Sequence, residues 1–187
     1  MTRPIYLFVS SSPDLATERD SVGQVTATLP LTIGWRISHT PTPPGGGQES
    51  TGLVEGCDLY VLILGHDFAA PMGTELRRAA KAGRKPLAYR AKVTYSPAAQ
   101  EAIRTCDVEW QVYSGVHEFL PLFRRDLVHA LLRDAQSLGL ELREVERLME
   151  LASDADAAAA MGQAGRPRGD AGRSAVILGR EVLRGRE

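Results

Sequence analysis

The chain lacks nearly every feature that marks a specialised protein class. Only two of its 187 residues are cysteines, Cys57 and Cys106. That excludes a disulfide scaffold and a four-cysteine zinc site. Each cysteine heads an apolar run (CDLYVLILG and CDVEWQV), where a small buried thiol is the expected role. Neither sign of charge prevails, with 22 Lys+Arg against 23 Asp+Glu. Nucleic-acid binders neutralise phosphates with clustered basic residues, so no nucleic-acid partner is expected. No apolar stretch approaches the roughly 18 residues that cross a bilayer, so no membrane partner is expected either. The opening MTRPIYLFVSSS runs directly into a strand pattern. Its apolar part is short for a signal peptide and no cleavage site follows, which makes a cytoplasmic location the expectation.

Familiar catalytic signatures are missing too. There is no GxxxxGK[ST] phosphate loop, no GxGxxG after a strand, and no GxSxG elbow. The four histidines (39, 66, 117 and 129) have no metal-binding spacing such as HExxH, so no metal site is expected.

What remains is ordinary for a soluble chain, 43% hydrophobic and 24% charged. The length suits one domain of about 100–150 residues with an appendage. Residues 1–114 hold 11 basic and 11 acidic residues, 115–157 hold 5 and 9, and 158–187 hold 6 and 3. The pattern predicts an α/β domain over 1–138, a helical extension over 139–157, and a flexible Gly/Arg-rich tail with a short apolar segment over 158–187.

Within the first part, short apolar runs alternate with helical patterns. Residues 5–9 (IYLFV) and 59–64 (LYVLIL) read as strands buried on both faces. Weaker strands are expected at 31–38, 86–90 and 108–113. Helices are expected from Ser12-Pro13 to Pro30, and over 49–56, 74–82 and 96–104, with 41–48 as loop. Apolar spacing predicts an amphipathic helix in 116–138, regular from Pro121 onward, and another over 140–151 that is available to a partner. Alternating strands and helices mean a mostly parallel, flavodoxin-like sheet of four or five strands covered on both faces and followed by carboxy-terminal helices. Ligands of such sheets sit beyond the carboxyl ends of the strands.

Two segments at those ends carry candidate chemistry. In SSSPDLATERD, Ser10, Ser11 and Ser12 precede a helix whose free amides favour an anion, although taken alone the segment is better read as simple helix capping. In GHDFAAPMGTE, Glu75 is expected in the first turn of a helix, where the dipole keeps a carboxylate ionised. An ionised Glu beside a sheet-end cleft can stabilise or attack a sugar carbon that develops positive charge. His66 and Asp67 on the same loop can hold a ribose or move a proton.

The stretch YLFVSSSPDLATERD, together with CDLYVLILGHDFAAPMGTELRRAAKAGRKPLAY, resembles the bacterial family catalogued as domain of unknown function 4062. Its members show an FVSS strand end, then DL and ER in the first helix, an ILG turn, a Thr-Glu pair, and G-x-K/R-P before the next strand. The resemblance spans roughly residues 5–90. That family is similar to the Toll/interleukin-receptor (TIR) and nucleoside deoxyribosyltransferase superfamily, which implies a TIR-like, flavodoxin-like sheet. It implies Glu75 as the carboxylate acting on an N-glycosidic bond. It also implies a ligand near Ser10, Ser11 and Asp14, to which the two strand-end segments add Ser12, Gly65, His66, Asp67 and Thr74 as candidate ligand-binding residues. The sequence departs from the family in HDFAAPMG, where an aromatic-Gly pair is usual, and in the short Gly/Pro-rich segment 31–57. The expected function is a signalling module of a bacterial conflict or stress response that binds a nucleotide-like ligand or a partner protein. The alternative is an enzyme cleaving NAD or a nucleotide. No cofactor is implied beyond NAD or a nucleotide as ligand or substrate. The partners implied are a large NTPase or repeat protein in trans and further copies of the chain.

Overall fold

A computed structural model describes residues 3–40 and 50–164. Five parallel strands form one sheet: β1 Ile5–Ser11, β2 Trp35–His39, β3 Leu59–Leu64, β4 Leu87–Ala91 and β5 Trp110–Tyr113. Their order is β2-β1-β3-β4-β5, the flavodoxin-like arrangement. β1 and β3 are buried at every position, which explains their unbroken apolar runs.

Side-chain alternation divides the core. Ile5, Leu7 and Val9 meet α1 (Ala16–Ala27) and α5 (Val116–Arg133) on one face. Tyr6 and Phe8 meet α2 (Ser50–Glu55), α3 (Ala70–Lys81) and α4 (Pro97–Thr105) on the other. On the first face Phe119 and Phe123 stack at 5.5 Å, and Tyr89 meets Phe119 edge-on at 5.2 Å.

Several boundaries differ from the sequence reading for identifiable reasons. The second strand occupies only Trp35–His39, because Leu31 and Ile33 pack against the core from an irregular segment after Pro30. α1 begins at Ala16 without a side-chain cap, so Ser12-Pro13 does not open it. The Ser12 hydroxyl instead serves a buried amide of the neighbouring loop. α3 begins at Ala70, four residues before Thr74, with Pro71 in its first turn. Glu75 therefore lies in its second turn. α4 starts as expected, with the Ser96 Oγ accepting from the Ala99 amide at 3.1 Å.

α5 begins at Val116 and runs through Pro121. The proline sits in the second turn and costs one backbone bond, while Phe119 and Phe123 beside it anchor the helix in the core. A short α6 (Ala135–Leu138) ends at Gly139, whose φ of 71° is left-handed. α7 then runs from Leu142 to Ala164, across residue 158 where the sequence reading begins a tail. Its Leu148 and Ala152 are buried in the main core, so the face offered to a partner in the sequence reading packs within the chain. The expected loop at 41–48 and the residues after 164 lie outside the described residues. Among the described residues, no helix is long and apolar enough to cross a membrane.

Candidate functional site

The crevice between β1 and β3 is the point where the strand order reverses, with β2 on one side and β4 and β5 on the other. Pairing brings Ser10 and Ser11 opposite Leu62 and Ile63. The β1 end therefore lies beside the Gly65–Asp67 loop that follows β3.

Pleating then splits the serine cluster. Ser10 and Ser12 turn to the α3 side, whereas Ser11 turns to the α1 side, where its buried hydroxyl has no hydrogen-bond partner. Ser10 donates to the Glu75 Oε2 at 2.5 Å. Thr40, just past β2, donates to the same oxygen at 2.8 Å. Residues 65 positions apart are thus joined at the sheet end. Ser12 accepts the Gly65 amide at 2.8 Å and donates to the Asp67 carbonyl at 2.6 Å.

Glu75 is only 2% exposed. It lies between α3 and the sheet, not on an open helix end. Burial pushes its carboxyl up from the ordinary range, and the hydroxyls of Ser10 and Thr40 hold it back. The expectation of a first-turn carboxylate kept ionised by the helix dipole is therefore corrected. The helix starts one turn earlier, and desolvation outweighs the donors. Its Oε1 has no hydrogen-bond partner, and neither has the buried Tyr60 hydroxyl in the same layer.

The rim above this network carries Asp14. Its carboxylate accepts the His66 amide at 3.0 Å and lies directly over Gly65. A Cβ at position 65 would sit 2.7 Å from the Asp14 Oδ1 and 2.8 Å from its Cγ, so glycine is what lets the Asp14 carboxylate lie here. His66 Nδ1 lies 2.7 Å from the Thr94 carbonyl, and the His66 carbonyl accepts the Ser96 amide at 2.8 Å. Ser96 also donates to Asp67. These bonds staple the loop after β3 to the loop after β4. Thr74 is half-buried beside Glu75 and takes no part in these bonds.

The structure thus gathers Ser10, Ser12, Asp14, Gly65, His66, Asp67 and Glu75 around one sheet end and turns Ser11 and Thr74 away from the network. Sequence reasoning missed Thr40, Tyr60, Thr94 and Ser96. Thr40 was legible in principle, because it follows β2, the neighbour of β1. The others depend on loop paths that no local pattern encodes.

The anion expectation also changes. Asp14 takes the His66 amide and places a carboxylate at the rim, so the named rim residues offer carboxylates and hydroxyls. Such groups accept hydrogen bonds from hydroxyls or amines. Among the described residues, no cluster of His, Cys, Asp and Glu is arranged to hold a metal. No protein-family model, no curated protein and no solved structure matches this chain.

Proposed function

We propose that the protein is a TIR-like signalling module of the kind the domain of unknown function 4062 resemblance implies, taking a nucleotide-like ligand in the β1/β3 crevice. The supporting observation is the Ser10–Glu75 bond at 2.5 Å, which ties the serine-rich strand end to the acidic corner of α3. Carboxylates at Asp14 and Asp67 suit the hydroxyls of a ribose. In this reading Glu75 is the polar floor of the crevice, holding Ser10 and Thr40 in place beneath the ligand. The setting is a cytoplasmic conflict or stress response, with a large NTPase or repeat protein in trans, or further copies of the chain, receiving the signal.

The alternative is cleavage of an N-glycosidic bond in NAD or a nucleotide, with Glu75 at the sugar carbon. The free Oε1 favours it. Burial disfavours it, because stabilising a developing cation needs a reachable, ionised carboxylate. The two readings separate in one experiment on the purified full chain. ADP-ribose binding is followed by calorimetry, and nicotinamide release from NAD is followed in parallel, each in wild type, Asp14→Asn and Glu75→Gln. The module reading expects ADP-ribose binding weakened by Asp14→Asn, without nicotinamide release. Release abolished by Glu75→Gln would establish the enzyme instead. Absence of both binding and release would remove the crevice as a ligand site.

A further inference from the structure

We propose that the groove along α4 is an oxyanion subsite centred on Arg90 and suited to a phosphate group. A cavity of about 600 Å³ is lined there by Arg90, Tyr95, Pro97, Gln100, Glu101 and Arg104. Arg90 projects from β4, opposite Leu64, the residue immediately before the Gly65–Asp67 loop.

Arg90 is the uncommitted charge of this groove. It is half-buried, and its buried Nε has no hydrogen-bond partner. No acidic side chain among the described residues pairs with it. By contrast Arg3, Arg78, Arg104, Arg125 and Arg133 each have a carboxylate within salt-bridge distance. The Tyr95 ring lies 6.0 Å from its guanidinium carbon. Only the Nε is buried without an acceptor; a planar fork of N–H groups is matched best by a phosphate or carboxylate.

The surrounding wall is fixed in advance. The Tyr95 hydroxyl donates to the Ala91 carbonyl, and the Gln100 amide donates to the Tyr95 carbonyl at 3.1 Å. Arg104 brings a second guanidinium, balanced by Glu101, so the lining carries one net positive charge from Arg90. The groove follows the flank of α4 from Pro97 to Arg104, so its positive character comes from the side chains and not from the helix end.

Arg84 also has a buried, unpartnered Nε, at the opposite end of the sheet. The cavity there sets Asp58 and Asp134 against Arg84, Lys85 and Arg133, so it too is net positive, but it lies beside the carboxyl ends of α3 and α5, whose carbonyls repel anions. The two arginines thus differ in their neighbours: Arg84 acts on the Asp58 carboxylate, whereas the one carboxylate lining the Arg90 groove, Glu101, pairs with Arg104. This subsite does not depend on the crevice reading. Its probe is inorganic phosphate with variants at Arg90, whereas the crevice is tested by the effect of Asp14→Asn on ADP-ribose binding.

The test is NMR of the arginine Nε–H signals of the full chain, titrated at constant ionic strength with inorganic phosphate and, separately, with AMP. The Arg90 signal is expected to shift saturably with phosphate and not with chloride. Arg90→Gln is expected to weaken phosphate binding about tenfold or more. Arg90→Lys, which keeps the charge without the fork, is expected to bind with intermediate affinity. Tighter binding of AMP would point to a nucleotide as the source of the phosphate, and equal binding to free phosphate. A non-saturating wild-type signal, or phosphate affinity unchanged in both Arg90 variants, would overturn the proposal. Should Arg90→Gln not fold, the wild-type titration and Arg90→Lys decide on their own.

Discussion

Glu75 and Glu144 are both almost completely buried, at 2% and 3% exposure, yet burial has opposite consequences for them. For Glu144, desolvation alone would raise the carboxyl. The amides of Glu141, Thr32 and Ile33 and the hydroxyl of Thr32 outweigh it and hold the group below the ordinary range. Oε1 takes the Thr32 amide at 2.6 Å and its hydroxyl at 2.7 Å, and Oε2 takes the Glu141 amide at 2.9 Å. For Glu75, both donors are hydroxyls on one oxygen, the other oxygen has none, and desolvation prevails. Backbone amides fixed by the fold make a carboxylate structural. Two hydroxyls and an unmet oxygen leave it unsettled. The first glutamate closes a joint, and the second waits at a crevice.

The sharpest way to break this comparison is Glu144→Ala. The Glu144 carboxylate ties α7 to the segment before β2, across 112 positions of sequence. Its loss strands the Thr32 and Glu141 amides and should cost about 2–4 kcal/mol in denaturant unfolding. Hydrogen exchange should rise first along α7. The pH dependence has a definite sign. The folded-state group lies below its unfolded value, so its stabilisation is present above the unfolded pKa, near 4.5. It is lost as pH falls from there through the folded value. Acid unfolding that begins elsewhere while α7 stays protected would refute the joint.

Next in size is Gly65→Ala. The new methyl collides with the Asp14 carboxylate, so either that side chain swings away from the His66 amide or the loop shifts. A cost of about 1 kcal/mol is expected, mainly the lost Asp14–His66 bond, with a large change in the His66 amide resonance. Wild-type stability and an unmoved His66 signal would mean that the close approach is not held in solution. Ser96→Ala should follow at about 1 kcal/mol, because the hydroxyl caps α4 and also binds Asp67. Its thermal midpoint, read beside that of Gly65→Ala, shows whether the two staples of the rim act separately.

The sheet was legible because β1 and β3 are apolar at nearly every position, a pattern that few elements other than doubly covered strands produce. Ser96-Pro97 was legible as a helix start because Ser and Pro there do what they do locally. Ser12-Pro13 has the same letters and failed, since the Ser12 hydroxyl is recruited by an amide 53 positions away. The helix of Glu75 was set one turn late for a related reason. Ala69 and Ala70 carry no capping signal, so Thr74 looked like the start. The Ser10–Glu75 encounter was readable only through strand order and the resemblance. The burial of Glu75, and with it the direction of its ionisation, depends on packing that linear spacing does not contain.

Glu75→Gln should produce the smallest change in stability at neutral pH, and that smallness is what makes it decisive. The folded-state group lies above its unfolded value, so the proton is bound more tightly in the native protein. The stability linked to it is therefore full below the unfolded pKa, near 4.5, and declines as pH rises through the folded value. A neutral amide can still accept from Ser10 and Thr40 through its carbonyl oxygen and never ionises. The variant should match or exceed wild type at pH 7, within about 1 kcal/mol, and should flatten the pH profile between 4.5 and neutrality. Unfolding curves of both proteins across that range test it directly. If the amide were as damaging here as alanine is at position 144, Glu75 would be another closed joint, and the crevice would lose the feature that distinguishes it from the rest of the core.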